Sequence, residues 1–394
     1  MKLFWLTAEM PFPPNTGGRM AMFKKIEYFS KNHEIFLFSI VDSIDDLKFK
    51  NEMKTYCKEA LFYNRNSNNL FKLFKLIVGP YVCTSRWIRA MKKDIDLQFQ
   101  KINPDYIIVE FPQMLGNLSS EVLKSGKIIL NQHNTEYLTL RNISNLYTNP
   151  LKKMVGIIDS YRLQQFEKKM YQKKLIKLFT FVSNDDKFFF EKKYGLFNTY
   201  HLPIGTEISR KHNTTHNNSF NISYIGKMNY LPNSEAAIWF AQNVFNKLKD
   251  IIPNLKYYIV GKNPPDNILH LATMDNNIIV TGTVDSVECY YELSDVVVIP
   301  LFHGGGVKVK LLEALGHGSL VITTDKGIEG TEFKHNNELL VANTATEFVN
   351  LCITIFQKPD LYLNIKEQAL ECIEKKYTWA SILKDFESKL IASK

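Results

Sequence analysis

Residues 295–330 read DVVVIPLFHGGGVKVKLLEALGHGSLVITTDKGIEG. A buried strand over Val296 to Ile299 is expected to end at Pro300, with Gly304, Gly305 and Gly306 then opening a helix. Three glycines without Cβ atoms let a backbone come close to a ligand and present amide N–H groups at the positive end of a helix. That is an arrangement for gripping a diphosphate. Lys310 and Glu313 stand three apart, on one face of the same helix. The cation could neutralise phosphate, and the carboxylate could accept two hydrogen bonds from ribose hydroxyls. A plain i,i+3 surface ion pair remains the alternative for these two residues.

Other chemistries find little support. Asp94-Ile95-Asp96 has the form of a cation-binding DxD, but it lies in a helical, basic stretch rather than at a strand end. No His/Asp/Glu cluster has ligand spacing for a catalytic metal. The five cysteines (Cys57, Cys83, Cys289, Cys352, Cys372) are dispersed, without CxxC or neighbouring histidines, which fits a reducing compartment and argues against structural zinc. Neither a G-x-S-x-G elbow nor a Walker A lysine is present. The expectation is no metal and no cofactor.

The elements that must position these residues alternate regularly. Strand-like apolar runs fall at 2–7, 34–40, 106–110, 127–131, 176–183 and 199–203, with helical patterns such as 19–31, 86–102 and 154–174 between them. The stretch 204–219, polar and aperiodic, reads as a connector. A second series follows at 220–225, 256–260, 277–281, 295–299, 319–323 and 338–341. The chain of 394 residues is too long for one core, since domains hold about 150 residues. The fold class expected is α/β, with two Rossmann-like doubly wound domains facing each other across a cleft and the site at the carboxyl ends of the strands.

Charge is lopsided. Residues 1–208 hold 31 basic and 20 acidic side chains, an excess of +11, while 209–394 carry −2. The basic half suggests a polyanionic partner such as anionic lipid, against a merely solubilising surface. In 69–93, Leu70, Leu73, Phe74 and Ile77 take helical spacing beside Lys72, Lys75, Arg86, Arg89, Lys92 and Lys93, with Trp87 among them. Such a helix could lie in a membrane interface or pack on its own core. The lysine-rich 151–177 reads as a solvated helix face. A nucleic-acid role lacks any recognition module. The opening MKLFWLTAEMPFPP has a short apolar run broken by Glu9 and prolines, so a first strand is expected rather than a leader. With no run of about 18 apolar residues, the expected location is cytoplasmic, peripheral on the inner membrane face at most.

The stretch 295–330 resembles the carboxyl domain of GT-B glycosyltransferases, particularly the large retaining family 4. In that family two glutamates form an E-x7-E frame across the turn and helix; here Glu313 takes the second position and Gly305 the first. The resemblance then implies that the amides of Gly305, Gly306 and Val307 stand in for the missing carboxylate, with Lys310 as in glycine-rich branches of the family. YIGKMNYLPN (224–233) is similar to the first strand and loop of that domain, where Gly226 approaches the diphosphate and Lys227 binds it. The family's second lysine in this loop is absent, which leaves its task to Lys310. VTGTVDS (280–286) is similar to the loop that reads the nucleobase around Thr283. PFPPNTGGRMA (11–21) resembles the glycine-rich loop of the amino domain, with Gly17 and Gly18 near donor or acceptor. NQHNTEY (131–137) places His133 where the family has a histidine beside the transferred sugar.

What the resemblance implies is a GT-B chain with an acceptor domain (1–208), a nucleotide-sugar domain (209–375) and a terminal helix (376–394) crossing back. The implied activity is metal-independent, retaining transfer from a nucleotide-diphosphate sugar to a glycan or lipid-linked acceptor hydroxyl, with His133 and Lys310 catalytic and domain closure assembling the site. A nucleotide-sugar 2-epimerase, or a catalytically degenerate partner subunit, are the competing readings. The first has too few acid/base candidates. The second draws on Gly305.

Overall fold

The computed structural model describes residues 1–65, 78–145, 147–172, 174–209, 219–304 and 306–394. Gly305, Lys173, the apolar positions Leu70, Leu73, Phe74 and Ile77 with Lys72 and Lys75, and most of the expected connector lie outside the described residues. The chain divides into two compact units, Met1–Pro203 with Leu383–Lys394, and Ile204–Ile382.

The amino unit is built on seven parallel strands: β1 (Lys2–Thr7), β2 (Glu34–Val41), β3 (Glu59–Asn64), β4 (Tyr106–Glu110), β5 (Ile128–Gln132), β6 (Ile176–Phe181) and β7 (Thr199–His201), in the order β3-β2-β1-β4-β5-β6-β7. The central strands are buried along their whole length, as a parallel sheet covered by helices on both faces requires. Order reverses between β1 and β4, so their carboxyl ends diverge into helices on opposite faces and leave a crevice there. The helix Gly17–Ser30 follows β1, with the Thr16 hydroxyl accepting from the Arg19 amide at its start. Helices Glu136–Asn145 and Pro150–Gln172 join β5 to β6. The terminal helix Trp379–Ala392 adds its residues from Leu383 onward to this unit, where Tyr106 donates to the Leu390 carbonyl at 2.8 Å.

The carboxyl unit repeats the plan with six parallel strands: β8 (Phe220–Ile225), β9 (Leu255–Val260), β10 (Ile278–Gly282), β11 (Val296–Ile299), β12 (Val321–Thr323) and β13 (Leu340–Val341). Their order is β10-β9-β8-β11-β12-β13, with the reversal between β8 and β11. Both units are therefore doubly wound α/β sheets, as expected. The strand absent from the sequence reading is β3. Its apolar run, Ala60 to Tyr63, is short and set between Glu59 and Asn64, and as an edge strand it stays partly exposed.

Trp87, for which the sequence left a membrane interface or packing on the chain's own core open, lies between the helices Tyr81–Thr84 and Arg89–Ile102 and is turned inward. Its indole N–H donates to the Gln113 carbonyl at 3.2 Å, and a Cβ on Gly116 would overlap the ring. All five cysteines are free. Among the described residues no helix is long and apolar enough to cross a membrane.

Candidate functional site

The reversal between β8 and β11 brings two loops together in the carboxyl unit. After β8 the chain turns at Gly226, whose amide donates to the Val260 carbonyl at 2.9 Å. This turn presses so closely on Gly261 that a Cβ there would sit 1.7 Å from the Gly226 carbonyl oxygen, and Gly261 holds φ +148°. Only glycine fits. After β11 the chain passes Gly304 (φ +106°) and Gly306 (φ +72°), both in left-handed backbone. The helix begins only at Val309, so Gly304 and Gly306 stand ahead of the helix rather than in its first turn, contrary to the sequence reading.

Two lysines follow that turn and do different work. Lys308, buried, folds back to donate to the Gly306 carbonyl and stands 3.7 Å from Glu329, which fixes the turn. Lys310 reaches across to β8. Its Nζ donates to Asn233 Oδ1 at 2.6 Å and to the Tyr224 hydroxyl at 2.9 Å, and lies 4.6 Å from the Tyr224 ring centre. Asn233 in turn donates to the Lys227 carbonyl at 2.9 Å, so the amine and the Gly226–Lys227 turn are held as one piece. A Cβ on residue 226 would come within 2.8 Å of Lys310 Nζ. Gly226→Ala should therefore displace the amine without unfolding the sheet, weakening nucleoside-diphosphate binding about tenfold, the worth of one charge-assisted bond. Calorimetry on the folded variant reads this; unchanged affinity would mean the amine does not meet the ligand.

The i,i+3 ion pair is not formed. Glu313 takes a 3.4 Å bond from the Tyr291 hydroxyl, and burial pushes its carboxyl pKa upward against the pull of Tyr291 and Lys310. Burial likewise pulls the Lys310 ammonium down to about 7, Glu313 opposing it. A dianionic ligand would draw the amine back to its charged form. Binding of a nucleoside diphosphate should then take up a proton above the free-state value of about 7 and weaken as pH rises further. Binding heats compared in buffers of different ionisation enthalpy measure it, and heats free of buffer dependence would contradict it.

Lys227 is exposed on its turn, and Thr283 is exposed just past β10, following Gly282 at φ +69°. Val307 lies between Gly306 and Lys308, partly buried. A concavity of about 580 Å³ lined by Phe220, Pro253, Asp295 and Leu320 sits at the opposite, amino ends of these strands, away from the glycine turns. The turns, with Lys310 between them, form the polar face at the carboxyl ends of these strands.

In the amino unit a second polar cluster occupies the β1/β4 reversal. Glu110, ending β4, is fully buried. Its carboxylate accepts from Trp5 Nε1 (3.0 Å), Asn131 Nδ2 (2.9 Å) and His133 Nε2 (2.7 Å), while Lys25 Nζ reaches both oxygens, at 2.7 and 2.9 Å. Burial alone would raise the Glu110 pKa, but Lys25 and the His133 bond outweigh it and hold the carboxyl down to about 2. His133 follows β5, and its ring stacks on Phe111 with centres 4.2 Å apart. Phe111 adopts φ +73°, strained for a bulky residue and found where a site over-determines the backbone. Burial also lowers the His133 pKa, against the pull of Glu110. The imidazole is neutral at pH 7, with its Nε2 hydrogen on Glu110, which leaves the Nδ1 lone pair as the group it can offer.

Gly17 and Gly18 begin the helix after β1 with no positive φ. A Cβ on Gly18 would meet only Glu9, at an ordinary 3.6 Å, so nothing inside the unit requires glycine there. Arg19 beside them is tied to Asp46 by two bonds of 2.8 and 2.9 Å and to Glu9 by one of 3.1 Å. Sequence reasoning missed Lys25, Glu110, Tyr224, Asn233 and Gly261. A carboxylate closing an otherwise apolar strand, as in YIIVE, was the one available signal for Glu110. Among the described residues no cluster of His, Cys, Asp or Glu is placed to hold a metal ion.

Residues 219–358 match the family model described as Glycosyl transferases group 1. An uncharacterized 44.6 kDa protein in the cps region of Klebsiella pneumoniae is 24% identical, over 98% of this chain and 99% of its own length. A glycosyltransferase from Rickettsia africae superposes with TM-score 0.68 at 16% identity, over 99% of this chain and 97% of its own. Anabaena HepE, solved in complex with UDP and glucose, does so with TM-score 0.65 at 12% identity over the full length of both chains. The carboxyl unit thus carries a group 1 glycosyltransferase domain, and the fold of the whole chain is that of GT-B glycosyltransferases.

Proposed function

We propose that this GT-B glycosyltransferase moves a sugar from a nucleotide-diphosphate donor to an acceptor hydroxyl, with retention and without a divalent cation, in surface polysaccharide or glycoconjugate synthesis. The observation that carries the reading is the Lys310 amine, held by Asn233 and Tyr224 against the Gly226 turn at the β8/β11 reversal. Breaking the anomeric C–O bond sends its electron pair to the departing diphosphate. A cation and free amides fixed beside that charge stabilise it as it grows, at no reorganisation cost. In this reading Lys310 and Lys227 meet the diphosphate, and the turn from Gly304 through Gly305 and Gly306 to Val307 supplies amides. Glu313 holds the ribose, and Thr283 lies beside the base. His133, offering a lone pair, accepts a hydrogen bond from a sugar or acceptor hydroxyl. With retention the acceptor approaches the face the diphosphate leaves, so a departing phosphate oxygen can take the hydroxyl proton. Support for a polysaccharide context comes from the cps-region relative, and for a uridine donor from the UDP held by HepE.

A panel of nucleoside diphosphates and their sugars, scored by thermal shift and then by transfer in EDTA, tests this. A donor that raises the melting temperature and turns over in EDTA is the expected result. Activity that vanishes in EDTA and returns with Mn²⁺ would overturn the metal-free chemistry. Isomerised sugar would indicate an epimerase. No stabilisation by any nucleotide would favour the degenerate partner subunit that Gly305 suggests.

A further inference from the structure

Tyr291 lies on the short helix Glu288–Leu293, between β10 and β11, and is completely buried. Just past that helix the Ser294 hydroxyl bonds to the Ser223 hydroxyl of β8, which ties the segment to the sheet. The Tyr291 ring stacks on His317, with centres 4.8 Å apart and planes 16° from parallel. A phenylalanine would fill that space with no polar atom to satisfy, so packing alone does not call for the hydroxyl. Its partner is Glu313 on the helix Val309–Gly316, whose Oε2 accepts from it at 3.4 Å. Among the described residues no other side chain donates to that carboxylate.

Glu313 itself is partly exposed, so a ligand can reach what Tyr291 leaves. An ionised carboxylate has about four lone-pair sites over its two oxygens. Tyr291 takes one on Oε2, and the rest stay available to two neighbouring hydroxyls such as those of ribose. A protonated carboxyl would give up one of those sites to its own hydrogen. Burial pushes Glu313 toward that neutral form, and the Tyr291 bond and Lys310 oppose it. Lys310 acts only through its charge, because its amine is bonded to Asn233 and Tyr224. The tyrosine hydroxyl, locked by the stack and the sheet, is therefore what holds the carboxylate in one orientation and in its accepting form. A nucleotide without the 2′-hydroxyl would leave a partly buried acceptor without a donor, and such a site rejects it.

We propose that Tyr291 is a positioning residue that sets Glu313 to select ribonucleoside over 2′-deoxyribonucleoside diphosphates, which restricts the donor to ribonucleotide sugars. This rests on the nucleotide reading above, with Glu313 at the ribose. Calorimetry on the full chain with UDP, GDP and their 2′-deoxy forms tests it. Wild type should bind the ribo form of its preferred base about tenfold tighter than the deoxy form, the worth of one charge-assisted hydrogen bond. Within one base, that ratio cancels the contacts to phosphate and base. Tyr291→Phe keeps the ring on His317, so its melting temperature should stay close to wild type, while the ratio should fall to about threefold or less. In a Glu313→Gln background the same substitution should change the ratio no further, because the two side chains act as one unit. A folded Tyr291→Phe variant with the wild-type ratio would overturn the proposal. A further fall in the Glu313→Gln background would assign the hydroxyl to packing and overturn it too. Wild type that binds both forms equally would take Glu313 off the ribose while leaving nucleotide binding intact. Wild type that binds no nucleotide would sink the nucleotide reading and this proposal with it.

Discussion

Lys310→Ala should leave a folded chain whose transfer rate is lower by about 10²–10³, the loss seen when one preorganised donor is removed from an oxyanion site. The size of the effect follows from how the amine is held. Asn233, Tyr224 and the Gly226 turn fix its position before any ligand arrives, and the dianionic ligand restores the charge that burial weakens, so the proposed contact is in place as charge develops on the leaving diphosphate. Lys310→Arg should not rescue, because the planar guanidinium cannot replace a point charge wedged against Gly226 and the Tyr224 ring. Glu313→Ala should instead act mainly on nucleotide affinity, since its carboxylate is assigned to the ribose. Steady-state kinetics with calorimetric Kd values separate the two. A Lys310→Ala enzyme with near-normal kcat would remove the phosphate assignment outright.

Lys25→Met should destabilise the amino unit by about 3–5 kcal/mol, the usual cost of stranding one member of a buried ion pair. Glu110 has no access to water, so once Lys25 is gone its charge is left with neutral donors alone. Urea unfolding at pH 7 measures the loss. The double variant Lys25→Met, Glu110→Gln should recover most of it, because neutral groups need no counter-ion; a double variant as weak as the single would place the cost in packing. The pH dependence has a definite sign. The Glu110 carboxyl is held at about 2 in the folded chain against 4.5 for the free group. Its contribution is therefore complete above 4.5 and is lost as pH falls through about 2. Wild-type stability should decline across that acid window, and the double variant should lack this component.

The repeating strand-helix order was legible because buried parallel strands are short unbroken apolar runs; β3 escaped although Ala60 to Tyr63 is such a run, because a run that short does not by itself distinguish a strand. The pairing of Gly226 with Lys310 could be anticipated, since both sit beside strands that flank the reversal point. The partners that fix the amine could not. Tyr224 and Asn233 are 86 and 77 residues from Lys310, and nothing local marks a tyrosine inside a strand as a ligand of a distant lysine. Lys25 and Glu110 are likewise separated by 85 residues and meet only because β1 and β4 are neighbours. The helix Pro150–Gln172, expected to present a solvated face but exposing Leu151, Met154, Val155, Ile158 and Tyr161, was misread for a different reason. Periodicity shows which residues share a helix face, but whether another element covers that face is decided by how far the helix runs past its core.

Glu110 also constrains what the chemistry can be. A carboxylate that formed a covalent bond to the anomeric carbon in a double displacement would need one oxygen free to attack. Both Glu110 oxygens are engaged, Oε1 by Trp5, Asn131 and Lys25, Oε2 by His133 and Lys25, and neither is reachable from outside. The acid nearest His133 is therefore a fixed counter-ion, and no glycosyl ester can form on it.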